Sequence, residues 1–205
     1  MDLLDINIVI APPEHIAKKA RYLSRQLKKQ GTLFTLGRID HFPHISIYMC
    51  RLPLANLEKA QKELSNITAS LDPFPITAYR FRNAKRGYID IRYYRNLHLR
   101  KLQQLVIDAI NPLRKGALLE SDLQKITTYP LKLKRMVEKY GYRSVGKEYY
   151  PHLSLTRLAN QLTLPQMTTA LQWQDMAFTV NKVGIYLCGE NGTCRRLIKM
   201  YHLNG

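Results

Sequence analysis

The chain has 205 residues, 45% of them hydrophobic and 23% charged, a globular composition with enough apolar material for one sizeable core and no low-complexity tract. With 32 lysines and arginines against 15 aspartates and glutamates it carries a net charge of +17. Such a bias favours phosphate-rich partners such as nucleic acid, or else marks a basic surface with no specific ligand, and charge alone does not decide between them. The opening MDLLDINIVIAPP carries Asp2 and Asp5 where a signal peptide needs positive charge. No apolar run reaches the ~18 residues that span a bilayer, so a cytoplasmic protein without a membrane partner is expected.

In chain order, Ile6 to Ala11 predicts a strand that stops at Pro12-Pro13, and Ile16, Ala20, Leu23 and Leu27 predict a helix ending near Gly31. Thr32 to Leu36 and Ile45 to Cys50 read as strands, and Leu57, Ala60, Leu64 and Ile67 mark a second helix. Ile76 to Arg82 and Tyr88 to Tyr94 form a hairpin around Asn83 to Gly87, and Asn96 to Leu113 is a third helix. A shorter helix fits Leu131 to Tyr140, a strand His152 to Leu158, and another helix Pro165 to Trp173. Ala177 to Leu187 and Arg195 to His202 alternate as strands around Glu190-Asn191-Gly192. The order predicts an α+β fold of mostly antiparallel pairing, and with no Pro-, Gly- or Ser-rich linker the whole of 1–205 reads as a single bilobal domain. Cys50, Cys188 and Cys194 lack the paired spacing of a metal knuckle or disulfide framework and read as reduced thiols, although a bridge between Cys188 and Cys194 across their turn is conceivable.

The decisive feature is an internal repeat. Phe42-Pro43-His44-Ile45-Ser46-Ile47 matches Tyr150-Pro151-His152-Leu153-Ser154-Leu155 at every position by identity or near-identity. Given the six histidines, Pro before and Ser two after two of them is expected by chance roughly 0.0003 times. On a strand, side chains alternate, so His44 and Ser46 share one face and Ile45 and Ile47 the other, and likewise His152 and Ser154 oppose Leu153 and Leu155. A core behind and a cleft in front is the arrangement this pattern suits. Two imidazoles are a natural pair for opening a phosphodiester, one neutral to take a proton and one charged to give one. Ser46 and Ser154 are expected to donate hydrogen bonds to the non-bridging phosphate oxygens. Two histidines without a third His, Cys or carboxylate at ligand spacing make a poor zinc set, so neither metal nor cofactor is expected. His15, His41, His98 and His202 lack the flanking Pro and Ser and read as structural or exposed.

The paired strands resemble the two-histidine (2H) phosphoesterase superfamily, the 2'-5' RNA ligase and cyclic phosphodiesterase group. His44-Ile45-Ser46-Ile47 and His152-Leu153-Ser154-Leu155 fit its pattern of His, hydrophobic, Ser/Thr, hydrophobic. The resemblance implies two pseudo-symmetric lobes with flanking helices around a central cleft, His44 and His152 as the catalytic pair, and Ser46 and Ser154 as phosphate-holding hydroxyls. It implies opening of 2',3'-cyclic phosphates, or making and breaking of 2'-5' links, on RNA or an oligonucleotide with a phosphate end. Arg157 sits five residues after His152 where many members place an Arg, whereas the corresponding first-half position is Met49. Tyr140-Gly141-Tyr142 through Val145 is similar to a bacterial branch associated with phosphonate breakdown.

Three weaker signals remain. Tyr48 and Tyr150, beside the motifs, are candidate platforms for a base or ribose, or core residues. Between Tyr79 and Arg95 aromatics interleave with arginines, as a single-strand-binding surface would, or as an amphipathic hairpin would. The Leu131 helix carries Lys132, Lys134, Arg135 and Lys139 off its apolar face, as a basic cleft wall or a solvated face. A monomer is expected, with a small ribose cyclic phosphate as an alternative substrate and a non-catalytic RNA-binding module as the rival class.

Overall fold

A computed structural model describes residues 2–83, 85–160 and 173–204. In chain order they form β1 (Leu3–Ile10), α1 (Glu14–Leu27), β2 (Ile45–Pro53), α2 (Leu57–Ala69), β3 (Phe74–Ile76), β4 (Ala78–Asn83) and β5 (Tyr88–Tyr93). There follow α3 (Leu97–Ile110), the single-turn α4 (Glu120–Leu123), α5 (Leu131–Tyr140), β6 (His152–Arg157), β7 (Phe178–Val180), β8 (Lys182–Cys188) and β9 (Cys194–His202). The helix expected from Pro165 falls outside the described residues up to Trp173, which opens a 3₁₀ turn.

Local chemistry explains most boundaries. α1 buries Ile16, Ala20, Leu23 and Leu27 on one stripe, and Gly31 ends its 3₁₀ extension at φ +74°, where a Cβ would be strained. α3 starts where the Asn96 side chain accepts the Leu99 N–H, satisfying a donor that the first turn leaves open.

Seven strands form one antiparallel sheet in the order β4-β5-β6-β2-β1-β8-β9, and β3 pairs with β7 in a small second sheet. The fold is α+β, and its two halves are pseudo-symmetric. In each, a strand, a helix and a second strand antiparallel to the first recur: β1-α1-β2 and β5-α3-β6. Both carry a bulge at the same place. Ser46 faces Val9 and Tyr48 faces Ile8, leaving Ile47 extra; Ser154 faces Asp90 and Thr156 faces Ile89, leaving Leu155 extra. The halves meet at β2 and β6 through the pair Ile45–Leu153. Each crossover helix packs across that seam, α1 against β6 and α3 against β2, so the core is continuous beneath both motifs.

Three expectations change. Thr32 to Leu36 is not a strand: Thr32 makes one isolated bridge to Leu158, and the rest is held irregularly. The Leu33 N–H donates to the Arg157 carbonyl, the Leu36 N–H to Ser24 Oγ, and Thr156 Oγ to the Phe34 carbonyl. Its polar groups thus find partners one at a time, on α1 and β6, rather than along a neighbouring strand. The strand expected over Ala177 to Leu187 breaks at Asn181, and Ile76 is separated from β4, because Phe74 and Ile76 pair with Val180 and Phe178 in the second sheet. Cys50, Cys188 and Cys194 are all free thiols.

Candidate active site

Ile45, Ile47, Leu153 and Leu155 are buried, and His44, Ser46, His152 and Ser154 open from the other face into a cleft of about 1380 Å³. Continuing the antiparallel register one step either side of Ile45–Leu153 sets His44 alongside Ser154 and Ser46 alongside His152. Each histidine thus lies beside the other motif's serine.

The two rings are fixed in the same way. His44 Nδ1 lies 2.7 Å from the Phe42 carbonyl, and His152 Nδ1 lies 2.7 Å from the Tyr150 carbonyl, in both cases two residues back across the proline. A carbonyl only accepts, so Nδ1 holds a proton and Nε2 is the nitrogen left to exchange one. Burial pushes the His44 pKa down to about 4, partly opposed by backbone hydrogen bonds to Phe42 and Gly192 and helped by the nearby charge of His152.

The serines, by contrast, differ. Ser46 Oγ accepts from Asn7 Nδ2 at 2.9 Å, whereas Ser154 Oγ donates to Asp90 Oδ1 at 2.7 Å. Asp90 (2% exposed) and Arg92 (7%) form a buried ion pair at 3.3 Å. Arg92 Nη1 reaches the Tyr150 carbonyl at 3.4 Å, the oxygen that also holds His152. Neither Asn7 nor Asp90 stands out in the sequence, and Arg92 does so only as one of the arginines interleaved with aromatics between Tyr79 and Arg95. Asn7 did leave a signal, as a polar residue inside the apolar run of β1; Asp90 and Arg92 look like the solvent face of an alternating strand, and only the pairing with β6 sets them beside Ser154 and His152.

Arg157 lines the cleft at the position that Met49 occupies in the first half. Its Nε donates to the Arg86 carbonyl at 2.9 Å, its Nη1 to Asn191 Oδ1 at 2.7 Å, and its guanidinium lies over the Tyr88 ring. Tyr150 is 55% exposed and lines the cleft. Tyr48 does not: the bulge at Ile47 turns it into the core, where its hydroxyl donates to the Tyr140 carbonyl at 2.6 Å, and Met49 takes the cleft position. His41 sits in a bend at φ +48°, off the strand. α5 contributes Lys132 together with apolar Leu133 and Met136, a mixed wall rather than a basic one. Among the cleft cations, Arg92, Lys132 and Arg143 are paired with Asp90, Glu148 and Asp122, so the net charge of the molecule is not concentrated here. Among the described residues no three His, Cys, Asp or Glu side chains converge as a metal site.

An antiparallel α+β fold with His-x-Ser duplicated on its two central strands defines the class of two-histidine phosphoesterases. A model of the 2'-5' RNA ligase superfamily matches residues 12–191, and the chain belongs to that superfamily. No curated protein matches it. Similar solved structures include E. coli LigT complexed with 3'-AMP, 13% identical over 100% of both chains with a TM-score of 0.61. TT0787 of Thermus thermophilus is 12% identical over 98% of this chain and 99% of that one, TM-score 0.61. A protein described as a phosphoesterase is 11% identical over 100% of both, TM-score 0.58. At these identities the likeness establishes a shared fold.

Proposed function

We propose that this protein opens 2',3'-cyclic phosphates at the ends of RNA or oligonucleotides, working as a cytoplasmic monomer whose single bilobal domain uses His44 and His152 as base and acid. The observation that carries the reading is the duplicated geometry: two rings, each anchored through Nδ1 at 2.7 Å to the carbonyl two residues back, share one cleft. His44, its pKa lowered to about 4 by burial, is neutral at pH 7 and able to accept a proton, so it is the proposed base and His152 the proposed acid. Nε2 of His44 takes a proton from water as the water oxygen bonds to phosphorus. His152 gives its proton to the departing ribose oxygen as that P–O bond breaks, leaving a phosphomonoester and a ribose hydroxyl. A 2'-5' link would form or break by the same exchange, with a ribose hydroxyl in place of water. Arg157 and Tyr150 are the proposed contacts to the rest of the substrate.

A small ribose cyclic phosphate is a second reading, favoured by the carboxylates that neutralise several cleft cations. The test is turnover of a cyclic-ended oligonucleotide against a 2',3'-cyclic mononucleotide, each with and without EDTA. Activity is expected to persist in chelator, because proton transfer and hydroxyl donors fill the role of a Lewis acid. His44→Ala and His152→Ala should each lower it by roughly 10²- to 10⁴-fold. A loss in EDTA that zinc or magnesium restored, or normal turnover in either folded histidine variant, would sink the mechanism.

A further inference from the structure

The hydrogen-bond directions at the two serines assign them different partners. A carboxylate can only accept, so Ser154 gives its one proton to Asp90, and toward the cleft its Oγ offers lone pairs. Those lone pairs do not suit a phosphate oxygen, which is itself an acceptor. Ser46 is the reverse: it accepts from Asn7 Nδ2, which also reaches Cys194 Sγ at 3.7 Å, and its own proton is left to donate. Turning the Asn7 amide over would strand both of its buried N–H donors, whereas the present orientation leaves only Oδ1 without a partner. Asp90 is held in turn by Arg92, so the acceptor state of Ser154 is built into buried structure.

We propose that Ser46 alone holds the phosphate, while Ser154, locked as an acceptor by the positioning residue Asp90, binds the attacking water and biases the site toward hydrolysis over ligation. This rests on the two-histidine reading above. By register Ser154 lies alongside His44, the proposed base. Water has two hydrogens: one passes to His44 Nε2 as the oxygen attacks phosphorus, and the second stays on that oxygen, hydrogen-bonded to Ser154. A ribose or other alcohol has only one hydrogen to give, which goes to His44, and it turns carbon rather than a donor toward the Ser154 acceptor. An unmatched acceptor is costly, so water is preferred.

The experiment opens a 2',3'-cyclic nucleotide in buffered methanol–water and measures the ratio of methyl ester to monoester. Ser154→Ala and Asp90→Asn should each raise that ratio by about 2- to 10-fold, the worth of one neutral hydrogen bond. Ser46→Ala should leave it unchanged. A parallel titration with inorganic phosphate, followed by NMR, needs no turnover: Ser46→Ala should weaken binding, and Ser154→Ala should leave it within about twofold. An unchanged ratio in folded Ser154→Ala, or equal loss of phosphate binding in both serine variants, overturns the inference while leaving the histidine mechanism standing. Should Asp90→Asn not fold, Ser154→Ala carries the test. Lack of turnover by the unaltered protein would instead strike the proposed function, and the phosphate titration would still decide the roles of the serines.

Discussion

His44 shows how the same residue type acquires a role from its surroundings. Its pKa of about 4 means that protonation in the folded protein is disfavoured relative to the unfolded chain, where 6.5 applies. The unfolded state therefore binds more protons across that window, and stability falls as pH drops from about 6.5 toward 4. The loss should reach about 1–2 kcal/mol once the solvent at the cleft-facing edge of the ring is allowed for. Urea unfolding at pH 7 and pH 4.5 should show it, and His44→Gln should remove that portion. For catalysis the sign is the same: the acid limb of the rate profile should lie near the depressed value, because the base must be neutral. An acid limb at 6.5 would return the base role to another group.

At the scale of the elements, the site depends on the seam between β2 and β6. The paired strands are tied at Ile45–Leu153, both fully buried, with a histidine and a serine on each side of that pair. Leu153→Ala removes apolar packing from the seam that α1 and α3 each pack against, and should cost about 2–5 kcal/mol by chemical denaturation. It should also lower turnover more than an equally destabilising change far from the seam, such as Leu64→Ala in α2, because only the first loosens the alignment of the two rings. Equal activity in both variants would show that the rings are held by their own carbonyl bonds and not by the seam.

For the molecule as a whole, the question is where its net charge of +17 acts. Within the cleft Asp90, Asp122 and Glu148 offset Arg92, Arg143 and Lys132, so much of the positive charge faces solvent elsewhere. An oligonucleotide long enough to leave the cleft meets that charge; a cyclic mononucleotide does not. The KM for a cyclic-ended oligonucleotide should therefore rise roughly 10-fold or more between about 50 and 200 mM salt, as for some three phosphate contacts to a single strand. The mononucleotide KM should change little. A flat response for both would favour the small cyclic phosphate as the substrate.

The sequence by itself determined the α+β class, the extents of most helices, and the two motifs, because each rests on local rules. Helix stripes follow a 3.6-residue period, strands a period of two, and an internal repeat is visible without any fold. It also placed His44, Ser46, His152 and Ser154 on the face opposite the core. What only the tertiary structure decided was how partners from distant strands complete those motifs. The matching bulges turned Tyr48 inward and Met49 outward, against simple alternation. The pairing of β3 with β7 broke two expected strands, because a strand's partner depends on the whole chain. The sequence presents Ser46 and Ser154 as equivalents; Asn7 behind one and Asp90 behind the other make them a donor and an acceptor, since hydrogen-bond direction is fixed by the neighbour and not by the residue itself.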